Sequence, residues 1–61
     1  MMNEDEFLAL AFQLSERADE QNDAADHDEL HAASDVCTIL KYMPELSSNY
    51  IERWLIGLKN R

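Results

Sequence analysis

The first 43 residues of this chain contain neither glycine nor proline, and the whole chain holds only one of each, Pro44 and Gly57. Those two residue types punctuate backbone structure most strongly, so a long run without them is free to propagate helix. No stretch alternates apolar and polar residues with period two for long enough to form a strand. The expected fold class is therefore all-α. With 61 residues there is room for one domain, and a chain of that size buries only roughly 60% of the surface its unfolded form exposes. Small chains commonly add a disulfide, a metal or a second subunit to a core of that size. Cys37 is the only cysteine, so an internal disulfide is impossible, and self-association becomes the expected remedy.

Three capping signals divide the chain. Asn3 stands three residues ahead of Glu6, a capping-box spacing in which each side chain satisfies a backbone donor of the other. It predicts a first helix over about residues 4–21. Phe7, Leu10, Ala11, Leu14 and Ala18 recur at three- and four-residue steps and define its core face. Leu8 and Phe12 fall outside that arc and make a second apolar ridge roughly 100° away. Asp26 with Glu29 repeats the box and predicts a second helix over about 26–43, with Leu30, Ala33, Val36, Cys37, Leu40 and Met43 on its apolar face. Pro44 ends it, because proline disfavours helical backbone at the residue before it. The turn between the two rests on the polar run Glu20-Gln21-Asn22-Asp23, and one bent helix of about 40 residues is the alternative to a hairpin. Ser47, Ser48 and Asn49 are cap candidates, Asn49 with Glu52 makes a third box, and together they predict a short C-terminal helix over about 49–60. Its stripe is Ile51, Trp54, Leu55 and Leu58, expected to pack on the Leu8 and Phe12 ridge of the same or a second chain.

Few residues are arranged for chemistry. Asp23, His27, His31 and Asp35 recur every four residues, and histidines at i and i+4 are a metal-ligand spacing. On the wheel both histidines lie opposite Ala33 and Leu40, so the expectation is a solvated stripe held by weak i, i+4 attraction, with no metal and no cofactor. Cys37 falls inside an apolar face, where a thiol acts as a small hydrophobe. The serines lack the strand-turn-helix setting of a nucleophile elbow, and the lone Gly57 cannot build a phosphate-binding loop. The chain is expected not to be an enzyme.

Charge separates along the sequence. Residues 1–35 carry eleven acids against Arg17, whereas residues 36–61 carry Glu45 and Glu52 against Lys41, Arg53, Lys59 and Arg61. A net charge of −8 repels phosphate and anionic lipid and favours basic protein surfaces. Nucleic acid and membrane are thus disfavoured partners, and no apolar stretch approaches the length of a membrane span. The opening Met1-Met2-Asn3-Glu4-Asp5-Glu6 shows no secretory signal, and the expected location is the cytoplasm. A helix-turn-helix formed by the second helix, Pro44–Ser48 and the third helix, reading DNA with Arg53, Lys59 and Arg61, is the alternative function. Tyr50, Arg53 and Trp54 are residue types enriched at interface hot spots. Together with Leu8, Phe12 and Leu58 they form the expected surface for a protein partner or a second copy.

An acidic chain with this opening, a helical hairpin and a short Trp-containing third helix resembles the small accessory early proteins of temperate, lambda-like bacteriophages, in particular the short reading frames between the exonuclease and excisionase genes. The resemblance is one of size, charge and helicity. It implies a regulator in the cytoplasm of an infected bacterium that acts by binding host or phage proteins, and it carries over no site residue.

Overall fold

A computed structural model describes residues 1–61 as three helices and no strand: α1 (Glu4–Asp19), α2 (Ala24–Tyr42) and α3 (Asn49–Lys59), with a 3-10 turn at Pro44–Leu46. The Asn3 box is formed, with Asn3 Oδ1 accepting from the Glu6 amide at 2.9 Å and Glu6 Oε1 accepting from the Asn3 amide at 3.0 Å. The other two boxes are not. At α2, Asp23 is the cap, accepting from the Ala25 and Asp26 amides, so the helix starts earlier than Asp26 and Glu29 predict. At α3 the Ser48 hydroxyl accepts from the Ile51 amide, which leaves Asn49 inside the helix and Glu52 free for another task. Met43 leaves the helical region at ψ 66°, as a residue before proline must.

The chain turns back on itself between Glu20 and Asp23, so α1 and α2 form a hairpin and not one bent helix. Ala11, Ala18 and Ala33 are buried, and the Ser34 hydroxyl, also buried, donates to the Ala11 carbonyl at 2.7 Å across the hairpin. Small side chains in the seam let the two backbones approach closely enough for that bond. Phe7, Leu10 and Leu14 from α1, Leu30, Cys37 and Leu40 from α2, and Leu55 and Leu58 from α3 complete the core.

α3 is tied at both ends. Near its start Glu52 accepts from the Met2 amide and the Ser47 hydroxyl, both at 2.8 Å. Beyond its other end Arg61 pairs with Glu29 at 2.9 Å, and its carbonyl accepts from Arg17. α3 therefore runs parallel to α1 and antiparallel to α2, closing a three-helix bundle of 33 × 17 × 15 Å.

This docking corrects two expectations. α3 packs on the main core and not on the Leu8 and Phe12 ridge, which is left uncovered with Phe12 64% exposed. The buried stripe of α3 is also turned: Glu52 is only 7% exposed, while Trp54, on the other flank of Leu55, is 44% exposed. Burying the Glu52 carboxylate beside its two donors satisfies its oxygens, and a helix that turns Glu52 inward must turn Trp54 out.

Candidate functional site

Three places on the surface hold residues that could act on something outside the chain. The first is the outer face of α3. Tyr50, Arg53 and Trp54 line one open depression of about 370 Å³. Tyr50 and Trp54 are one helical turn apart, and Gly57 continues the same flank with open space around its α-carbon. The structure thus brings together three of the six expected interface residues. Leu58 is not among them: it is buried in the core at 2% exposure, because it lies on the same side of α3 as Leu55.

Leu8 and Phe12 form the second place. A groove lined by Glu6, Ala9 and Gln13 of α1 with Ile56 and Lys59 of α3 marks the side on which α3 sits. Leu8 and Phe12 lie on the other side of α1, one turn apart, along a flank that continues through Ser15 to Asp19. They are therefore not continuous with the Tyr50, Arg53 and Trp54 face. Ile39, Tyr42, Met43 and Leu46 add further exposed apolar surface around the end of α2. Sequence periodicity assigned Met43 to the core face, but the backbone departs from the helix there before Pro44.

The third place is where the hairpin turns. His27 and His31 are not a solvated stripe with Asp23 and Asp35, since Asp23 is engaged in capping α2. Both rings are half-buried against the end of α1. His27 Nδ1 lies 2.8 Å from the Ala18 carbonyl, His31 Nε2 lies 3.1 Å from Asp19 Oδ1, and the two rings meet edge to face with centroids 4.5 Å apart. Asp19 was the residue that sequence spacing missed. It stands eight positions before His27 and twelve before His31, a separation that has meaning only once the hairpin is known.

Elsewhere, the cations expected to contact DNA are partly committed. Of Arg53, Lys59 and Arg61, Arg61 faces Asp26 and Glu29, which leaves Arg53 and Lys59 without an ion-pair partner. Cys37 is fully buried, and burial pushes its thiol up to about 11. No helix is long and apolar enough to cross a membrane. Comparison of the chain with known protein families, curated proteins and solved structures finds no match.

Proposed function

We propose that this chain is a non-enzymatic protein–protein interaction module, a small accessory regulator of the lambda-like phage type working in the bacterial cytoplasm. The observation that carries this reading is the convergence of Tyr50, Arg53 and Trp54 on one open depression. An aromatic pair flanking an arginine offers large contact area at low entropic cost, and such residues dominate binding energy where they are found at interfaces. The acidic hairpin supplies the second element: eleven acids in residues 1–35 steer the module toward basic protein surfaces and speed encounter. Self-association belongs to the same proposal and is placed on the uncovered Leu8 and Phe12 flank, where a second hairpin would bury the ridge that α3 leaves open.

The DNA-binding alternative draws little support from the charges. Affinity for a duplex comes from neutralising phosphates, and of the three cations expected to contact it only Arg53 and Lys59 are free of acidic partners, on a chain of net charge −8.

Two measurements test the proposal. Sedimentation equilibrium at tens of micromolar should give a mass above 7.1 kDa for the parent and a monomer for Phe12→Ser; a parent that is monomeric throughout removes the self-association. Pulldowns from bacterial lysate should retain proteins on the parent that are lost from both Arg53→Ala and Trp54→Ala at unchanged helicity. The same retained set on all three chains overturns the assignment of the α3 face.

A further inference from the structure

We propose that Asp19, His27 and His31 form a binding site for a borderline transition-metal dication of the zinc class at the turn of the hairpin. The inference is independent of the interaction surface. One ligand atom from each of the three side chains lies within 4.8 Å of the other two. Two nitrogens and a carboxylate oxygen suit zinc, which binds them at about 2.0–2.2 Å. Bonds of that length in tetrahedral arrangement place ligand atoms about 3.3 Å from one another. His31 Nε2 and Asp19 Oδ1, 3.1 Å apart, already stand at that separation, and the His27 nitrogen, within 4.8 Å of both, has to close by no more than about 1.5 Å.

The second observation concerns the proton on His27. Its Nδ1 lies 2.8 Å from the Ala18 carbonyl oxygen. A carbonyl only accepts, so Nδ1 carries the proton and Nε2 holds the free lone pair; by the same rule the Asp19 carboxylate holds a proton on His31 Nε2, which a bound ion displaces to His31 Nδ1 or to solvent. Metal-ligating histidines are oriented in this way, with one ring nitrogen donating to a backbone carbonyl or carboxylate while the other faces the ion. A histidine in a purely solvated stripe has no such restraint. Placement supports the same conclusion. His27 and His31 share one face of α2 a turn apart, and Asp19 is the last residue of α1, whose negative dipole end offsets the positive start of α2 beside the site. Three protein ligands leave the remaining position to water. The consequence for the fold is a clamp: the ion would bridge the end of α1 to the first turns of α2, holding the hairpin closed at the turn, which contains neither glycine nor proline.

The test uses the full, metal-free chain. Zinc chloride should raise its melting temperature, followed by circular dichroism, by on the order of 10 °C or more at a hundredfold excess over Kd. Cobalt(II) should give the intense visible bands of a low-symmetry four-coordinate site. Both responses should disappear in His31→Ala and in Asp19→Asn, and survive in Cys37→Ser. Asp19 is exposed, so its variant is expected to keep the parent's helicity. A folded parent with neither response overturns the site, and so does binding that is unchanged in Asp19→Asn and His31→Ala, which would be diffuse attraction to the acidic surface.

Discussion

At the scale of single residues, Trp54 and Leu55 are neighbours in sequence with opposite fates. Leu55 is fully buried among Leu58 and the hairpin core, whereas Trp54 keeps nearly half of its surface in water. Truncating a buried leucine costs about 2–5 kcal/mol, an amount close to the whole stability of a domain this small. Leu55→Ala should therefore abolish cooperative melting, while Trp54→Ala, which removes a side chain only about half covered, should cost less and leave a cooperative transition. Thermal melts by circular dichroism compare them. Equal destabilisation would mean that α3 docks in another rotation. Cys37 is the second residue whose setting decides its behaviour. Its neutral form is favoured in the folded chain, since burial lifts the thiol from 9.0 to about 11. The corresponding stabilisation is complete below pH 9.0 and is lost as the pH rises to about 11. Urea melts at pH 8 and pH 10.5 should show that loss in the parent and less of it in Cys37→Ala. At pH 8 a thiol reagent should label the folded chain only as fast as the chain opens.

At the scale of helices, the three starts show how far local patterns reach. The Asn3 box works because Asn3 immediately precedes the first residue with helical backbone. For α2 and α3 the same spacing lies inside the helix, since Asp23 and Ser48 cap earlier and every helical segment rich in Asp, Asn and Glu contains chance boxes. Inside α3, Gly57 has a vacant surround and lies on the outer flank with Tyr50 and Trp54. Glycine in a helix interior costs roughly 0.5–1 kcal/mol relative to alanine. Gly57→Ala should thus raise the melting temperature by a few degrees. If the outer face of α3 is the contact surface, the same variant should weaken partner retention in the pulldown, because the added methyl stands between Trp54 and whatever packs there. A lower melting temperature would show that the space beside Gly57 is filled by the chain itself.

At the scale of the whole molecule, polar ties outside the helices orient α3. Glu52 joins α3 to Met2 and to the Ser47 hydroxyl. Removing its carboxylate leaves two donors without a partner in a half-buried place, at a cost of about 1–3 kcal/mol. Glu52→Ala should accordingly lose stability and speed hydrogen exchange at the Met2 amide, with Glu52→Gln falling between it and the parent. Melting and exchange that are the same in Glu52→Ala as in the parent would leave the rotation of α3 to its apolar stripe alone. The uncovered Leu8 and Phe12 flank and the Asp19, His27 and His31 cluster lie toward the same side of the hairpin, away from α3. Metal binding and self-association can therefore be measured against each other, each in the variant that removes the other.

The local rules of helix formation, capping and 3.6-residue periodicity depend on neighbours along the chain, and they determine the all-α class and all five buried residues of α1, while leaving a hairpin and one bent helix both open for the first 43 residues. The proposed interface residues Tyr50, Arg53 and Trp54 were likewise selected by type, and His27 and His31 by spacing. What lay beyond reach of the sequence was how α3 is rotated about its own axis and what each helix meets. Glu52 turns inward, and Trp54 outward, where Met2 and Ser47 supply its donors. Whether the histidines are solvated or paired depends on Asp19 and Ala18 coming round the turn. Those contacts join residues separated in sequence, so tertiary packing alone decided them.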